Sequence, residues 1–599
     1  MTTTDLPRWR TTDLYGGLDA PALTADLTTL ADDVSALVTT FDTLDIREGG
    51  AVVTPDALET VLDAMNAVTL RAATLRSYLN AFVATDSRDA AAQGLMSTLT
   101  TTTLPLGPLR SRFTAWLGDL DDAALDALTG SSDTAGGHAH VLRRAALYAR
   151  HQMSPAEEDL AARLRPSGAG GWAKLHGNVS AVLSGTLNGE ALPVTALRAL
   201  ATDPDEAVRK GAFDAEIAAW ASSEVVMAAC LNGVKGEEGA LAARRGFTDP
   251  VQPSLLLNGI DQATLDAMQG AVVRSLPDFR RYFGAKARAL GKPKLDWWDL
   301  FAPVGRSETA WTYGAGTRFV EEQFRGYSAA LGDFAARAFA GEWVDAGPRT
   351  GKRSGAFCMR WTGDQSRILM NHDPSLDSVS TLAHELGHAY HNVQLAHLPP
   401  LRRETPMTLA ETASIFCETI IQNAALDSAT GAERVYALET QLLGHAQVVV
   451  DIHSRYLFER AVYDKRAERD LNPAEFVELM TWAQRETYGD ALGTLHPYMW
   501  AVKGHYYSLP FYNYPYTFGL LFGLGLYAQY TAARAQGDGA VQDFQRRYDD
   551  LLANTGQATP LELAARFGID LHAPDFWEGS LDVIRGQIAA YEALTGAEG

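Results

Sequence analysis

A chain of 599 residues with 46% hydrophobic and 21% charged side chains has the balance of an ordinary globular protein, neither disordered nor fibrous. Its formal charge of −22 argues against non-specific nucleic-acid binding, which needs a Lys/Arg footprint, and against docking on anionic membranes. Length alone provides for roughly two to four compact units.

The N-terminus, MTTTDLPRWRTTDLYGG, carries an early acid and no apolar stretch, so it does not read as a signal peptide. Most of the chain beyond it has helical spacing. Thr54-Pro55 is a cap followed by a first-turn proline, and Leu58, Val61, Leu62, Met65 and Val68 recur on one face. Thr98 to Thr103 is a local bias, not a repeat. Ser154-Pro155-Ala156-Glu157-Glu158 opens another helix with acids in its first turn, and Pro166 to Gly171 is the strongest breaker cluster. A boundary is therefore expected between 115 and 190, dividing the chain into a helical region 1–115, a helical connection 116–190 and a large remainder 191–599. Cys230, Cys358 and Cys417 form no C-x-x-C pair. That argues against a thiolate metal cluster and for a reducing, cytoplasmic setting, and Cys358 and Cys417 read as buried small hydrophobes.

Two β-compatible runs, GAFCMRW from Gly355 and RILMN from Arg367, flank a polar turn with Gly363 and predict a hairpin. A sheet there is either purely structural or exposes an edge that pairs with an extended peptide. Immediately downstream stands His384-Glu385-Leu386-Gly387-His388. On a helix the two histidines share a face, so both imidazoles reach one Zn²⁺ while Glu385 takes a proton from its water. Asp377 or Ser378 is available as cap, and Val379, Leu382, Leu386 and Tyr390 supply the apolar stripe.

A catalytic zinc takes three protein ligands and keeps a position for water. The offsets at which a metzincin places its glycine and third histidine hold His391 and Gln394 here, so that pattern fails. Instead, Thr405-Pro406 reads as the start of a second helix, with Glu404, Glu411 and Glu418 spaced by seven. A glutamate in the apolar, small-residue run LAETASIFCETII is costly to bury without a partner. Glu411 is the expected third ligand, and Glu418, two turns on, the expected partner for a ligand histidine's second nitrogen. His372 and His391 read as structural. Near the C-terminal end, GHYYSLPFYNYPYTFGLLFGLGLY is broken by Pro510 and Pro515 and followed by Gly519, Gly523 and Gly525. It reads as a loop that closes over a ligand, and its apolar part is too short to span a bilayer.

KRSGAFCMRW, ILMNHDPSLDSVSTLAHELGHAYH, TPMTLAETASIFCE and the Tyr-rich block resemble the oligoendopeptidase F branch of the thimet-oligopeptidase-like M3 metallopeptidases. LDWWDLFAPV near Leu295 adds a weaker match, and the likeness covers about 190 to 590. The resemblance implies a mainly α, elongated helical body with a deep substrate channel and a small β-sheet beside the metal helix. It implies one Zn²⁺ on His384, His388 and Glu411, with Glu385 as general base, in a catalytic region spanning 191–599. It also implies His and Tyr donors to the scissile carbonyl oxygen from a segment offering His505, Tyr506, Tyr507, Tyr512, Tyr514 and Tyr516. Of these His505 and Tyr512 are favoured, with Tyr514 or Tyr516 as alternates. The expected activity is internal cleavage of short, unstructured peptides, the substrate backbone lying along Ser354, Gly355, Ala356 and Phe357. A zinc carboxypeptidase or dipeptidase is the alternative, needing a cation such as Arg353 or Arg367 for the terminal carboxylate. An inactive peptide-binding scaffold is a second.

Overall fold

The structure is a computed structural model that describes residues 6–307 and 309–596. By compactness it forms two units, each assembled from three stretches of chain: Met1–Pro155, Thr309–Ala424 and Gln529–Gly568 in the first, Ala156–Glu308, Ala425–Ala528 and Ile569–Gly599 in the second. Both are built mainly of helices, as the spacing of apolar residues requires.

In the first unit, helices Pro21–Thr43, Pro55–Thr85, Ala90–Thr103 and Leu106–Trp116 surround an apolar core. Thr54 caps Pro55–Thr85 by accepting the Ala57 N–H at 3.3 Å, and the predicted stripe from Leu58 to Val68 is buried. The threonine run forms the end of Ala90–Thr103, where the hydroxyls of Thr98, Thr100, Thr101 and Thr103 donate to carbonyls four residues back. Trp361 and Leu369 join the same core, Leu369 from a three-stranded sheet. Its strands are β3 (Val344–Asp345), β4 (Phe357–Arg360) and β5 (Ser366–Leu369), where β1 (Ser184–Leu187) and β2 (Glu190–Pro193) form a separate hairpin in the second unit. β5 lies in the middle, parallel to β3 and antiparallel to β4, with Cys358 opposite Ile368. The predicted hairpin is thus β4–β5, and β4 is an edge strand.

In the second unit the long helix Glu206–Arg244 carries β1–β2 and helix Ala169–Val182 on its flanks. Length and composition would let Glu206–Arg244 cross a membrane, but half of its most apolar window is buried inside the protein, as in a core helix. The breaker cluster proves narrower than expected. Helix Pro155–Leu164 ends before it, yet Gly170 and Gly171 already belong to Ala169–Val182. The β1–β2 hairpin was not foreseen, although its turn, Asn188-Gly189 with φ of 52° and 85°, has the dipeptide that a tight two-residue hairpin requires. Helices Gly431–Ala446 and Ile452–Arg466 are joined by a π-helical stretch, Gln447–Asp451. Gly519, Gly523 and Gly525 are not loop residues either. They lie in helix Tyr514–Gln536, whose first turn tolerates Pro515 and whose Gly525 lets Phe576 and Ser580 come close.

Candidate metal centre

The His-Glu motif lies in helix Leu376–Leu395. Ser375, rather than Asp377 or Ser378, caps it by accepting the Ser378 N–H at 3.1 Å, while Asp377 supplies first-turn charge. Val379, Leu382, Leu386 and Tyr390 are all buried, so the helix is fixed against its surroundings by the predicted stripe. On its sheet-facing side Asn392 accepts from Arg360 of β4 at 2.8 Å and donates to Ser366 of β5 at 3.1 Å.

The second segment departs from a continuous helix. Thr405 is not its cap. A short turn, Met407–Ala410, ends at Glu411 (φ −92°, ψ 2°), and a new helix, Thr412–Ser428, begins one residue later. Glu411 thus stands at the break between the two, and Ser414 Oγ donates to its Oε2 at 2.7 Å. Glu404 does not share that face. It lies before the helix and pairs with Arg110 and Arg144 of the N-terminal helices. The two helices meet at Gly387, where an added Cβ would stand 2.5 Å from both the Ala413 carbonyl oxygen and the Ser414 Cα. Only glycine permits that approach.

The result is a compact donor set. His384 Nε2 lies 3.2 Å and His388 Nε2 3.3 Å from Glu411 Oε2, and among the described residues these three form a cluster whose ligand atoms all fall within 4.8 Å. His384 Nδ1 is 3.0 Å from Glu418 Oε2, which fixes the ring's orientation, and Gln422 in turn donates to Glu418 Oε1 at 2.7 Å. Burial works against ionising either partner. Yet hydrogen bonds to both carboxylates raise His384 well above the usual imidazole range, and those from both histidines hold Glu411 well below the usual carboxylate range. Two imidazoles and a carboxylate, converging on one point and partly open, suit a divalent zinc that keeps an open position.

Glu385 follows His384 on the same helix, close enough to the donor set to feel the charges of His384, His388 and Glu411. It is buried, its Oε2 accepts no hydrogen bond among the described residues, and burial pushes its carboxyl up despite His384 and His388. A buried carboxyl with one oxygen free and a raised affinity for protons has the properties of a general base. Cys358 and Cys417 are free thiols that burial pushes far above their ordinary range. His391 hydrogen-bonds Thr555 at 2.8 Å and burial holds it at about 3, so it is a neutral structural ring. His372 packs edge-on against Tyr313 at 5.5 Å.

Beside the helix, Ser354, Gly355 and Ala356 precede β4, and Phe357 is its first residue. Gly355 has φ 78° with open space where a Cβ would be, and Asn371 donates to the carbonyls of Arg353 and Gly355 at 3.0 Å each. Arg353 is exposed, its guanidinium 5.5 Å from the Phe357 ring centre. Arg367 is not available as an anchor for a carboxylate: it is fully buried and committed to Asp13 and the Arg10 carbonyl.

In the second unit, His505 stacks on Tyr512 (ring centres 5.0 Å, planes 13° apart), and Tyr516 packs against both. Burial, with Arg455 and Lys503 nearby, holds His505 down at about 4, so the ring is neutral at ordinary pH. Tyr514 is different. It is 1% exposed, and its hydroxyl lies 3.3 Å from both Ser254 Oγ and Asn258 Nδ2. Tyr506 and Tyr507 are likewise buried, the latter stacked on His176. Three tyrosines of this block are packing residues, and Tyr512 and Tyr516 are the partly exposed ones.

Residues 199–583 match the family model of peptidase family M3, and residues 116–184 match a second model described as oligopeptidase F. An oligoendopeptidase F homologue of Lactococcus lactis subsp. lactis is 25% identical over 392 residues, which span 65% of this chain and 64% of that relative. Oligopeptidase PepF of Bacillus subtilis is 24% identical over 403 residues, 65% of this chain and 58% of that one. The matches therefore span less than two thirds of these relatives. In fold, the chain is similar to a solved chain from Chlamydophila abortus (TM-score 0.81, 19% identity, 99% of each chain covered). It is also similar to oligoendopeptidase-F from Enterococcus faecium (TM-score 0.68, 17% identity, covering 96% of this chain and 99% of that one). The match over residues 199–583 takes in well over half of the sequence, and the protein belongs to peptidase family M3.

Proposed function

We propose that the protein is a zinc-dependent oligoendopeptidase that hydrolyses internal bonds of short, unstructured peptides. The observation that carries this reading is the convergence of His384 and His388 on Glu411, with the buried carboxyl of Glu385 on the same helix and its Oε2 without a hydrogen-bond partner among the described residues. Zinc held by His384, His388 and Glu411 would lower the pKa of a water and polarise a peptide carbonyl. Glu385 Oε2 removes a proton from the attacking water and returns it to the leaving amine. Glu418 holds the His384 ring through Nδ1, and Ser414 holds the Glu411 carboxylate. His505, neutral at working pH, and Tyr512 donate hydrogen bonds to the developing oxyanion, a role carried over from the family resemblance. The substrate lies extended beside Ser354, Gly355, Ala356 and Phe357, in support of which β4 leaves one edge unpaired within its sheet. Main-chain pairing makes the preference for sequence broad, and the three free cysteines suit a reducing cytoplasm.

The test is mass spectrometry of products from a mixed peptide library and a folded protein, with wild type, chelator-treated enzyme and Glu385→Gln. Internal cuts confined to short peptides, lost on chelation and lost in Glu385→Gln with zinc retained, are expected. Near-wild-type turnover by Glu385→Gln would remove the assigned base. Arg353 is the cation that a carboxypeptidase reading has left, and a C-terminally amidated peptide separates the two: an endopeptidase cuts it and a carboxypeptidase rejects it.

A further inference from the structure

The backbone that carries Tyr512 is held in a conformation its sequence disfavours. Phe511 has φ 50°, in the left-handed region where a bulky L-residue is rare, and it is 1% exposed. Its N–H donates to Glu459 Oε1 at 2.9 Å, and its ring stacks on Tyr463 with centres 5.4 Å apart. Glu459 is itself 2% exposed and its Oε1 also takes Lys235 Nζ at 2.9 Å, while Lys235 has a second partner in Glu238. So a buried ion pair between helices Glu206–Arg244 and Ile452–Arg466 ends on one backbone amide of the tyrosine segment.

The neighbours of Tyr512 are fixed as firmly. Asn513 accepts from Arg455 at 3.2 Å, and the Tyr514 hydroxyl is lodged against Ser254 and Asn258. With residues 511, 513 and 514 anchored, Tyr512 projects outward onto the His505 ring. The left-handed turn at Phe511 sets the direction in which residue 512 leaves the anchored backbone. A buried carboxylate is a costly structural device compared with an apolar residue of the same volume, but its oxygen satisfies a buried backbone amide that an apolar residue would leave unpaired.

We propose that Glu459 is a positioning residue for Tyr512: by accepting the Phe511 N–H it keeps the segment in the left-handed turn that stacks Tyr512 on His505. The proposal rests on the reading of Tyr512 as an oxyanion donor, and it assigns to the Glu459–Phe511 hydrogen bond a role in turnover besides the pairing of Glu459 with Lys235.

Two substitutions separate the hydrogen bond from the charge. Glu459→Gln keeps an acceptor within reach of Phe511 and removes the charge. Glu459→Asp keeps a charge for Lys235 and withdraws it from the amide. With zinc content and a short internally quenched peptide as readouts, Glu459→Gln is expected to keep kcat within about 3-fold of wild type. Glu459→Asp is expected to lower kcat by about 10-fold or more with KM within about 2-fold and zinc unchanged. In a Tyr512→Phe background Glu459→Asp should cost nothing further. The reverse ranking, additive losses, or an unchanged Glu459→Asp would overturn the proposal. Should Glu459→Asp not fold, Phe511→Val takes its place, because a β-branched residue resists the left-handed region, and wild-type kcat there would count against the proposal equally. If Tyr512→Phe alone keeps full activity, the donor assignment fails. Positioning is then judged by a crystal structure of Glu459→Asp, and Tyr512 still stacked on His505 would overturn it.

Discussion

Gly387 and Ser414 face each other where helices Leu376–Leu395 and Thr412–Ser428 meet, and the space between them is too small for a methyl group. Substituting Gly387→Ala forces the helices apart next to His388, close to where the histidines meet Glu411. A loss of about 1–3 kcal/mol in stability is expected from the overpacking, together with weaker zinc binding. Thermal unfolding and a zinc titration check both, and wild-type zinc affinity in the Gly387→Ala protein would mean that the contact does not set the site.

Glu418 has no place among the three converging donors, yet it fixes the ring of one of them. Glu418→Gln should leave the fold intact and weaken zinc binding by roughly 10- to 100-fold, as loss of an orienting partner usually does. Competition with a chromogenic chelator measures this directly.

Tyr512 and Tyr514 are two residues apart and are expected to behave oppositely. Tyr512→Phe should lower kcat by about 100-fold, the scale of a lost oxyanion donor. Tyr514→Phe removes a hydroxyl lodged against Ser254 and Asn258, so it should cost about 1 kcal/mol of stability and leave kcat nearly unchanged. Steady-state kinetics and urea unfolding of the pair decide it.

Stability should also rise with pH between about 4 and 6.5. Burial holds His445 and His453 at about 4, whereas both titrate near 6.5 in an unfolded chain. In that window the unfolded state binds protons that the native state refuses. Their contribution is complete above 6.5 and is lost as pH falls toward 4, on the order of 3 kcal/mol per ring. Urea unfolding at pH 7 and pH 5 tests the sign, and a stability that is flat or falls with pH across the interval contradicts it. Replacing His445 with Gln should flatten the slope.

Much of the metal site could be read from spacing, because a helix converts a four-residue interval into a shared face. His384, Glu385 and His388 needed only that rule, and Glu411 and Glu418 stood out as acids in an apolar run. The break at Glu411 could not be read, since the segment has helical composition throughout and carries no glycine or proline between Met407 and Ser428 to mark an interruption. β3 was equally hidden: two residues, Val344 and Asp345, pair in parallel with a distant strand and leave no periodic trace. The β1–β2 turn is another matter: Asn188-Gly189 is a hairpin signal, but the strands on either side have only four residues each and lie between helices. Tyr514 illustrates a further limit. Alternating aromatics do not disclose which ring packs inward, and only the anchoring of its hydroxyl settles that.

The three converging donors of the candidate metal centre fall between His384 and Glu411, within one helix–turn–helix stretch of a much longer chain. Closing so short a loop costs little chain entropy, so the stretch has the means to gather a cation while distant parts are still unpaired. Zinc would then act early in folding as a local clasp. Its removal from the mature protein should loosen this stretch first, visible as faster amide exchange there than in the long helices of the second unit.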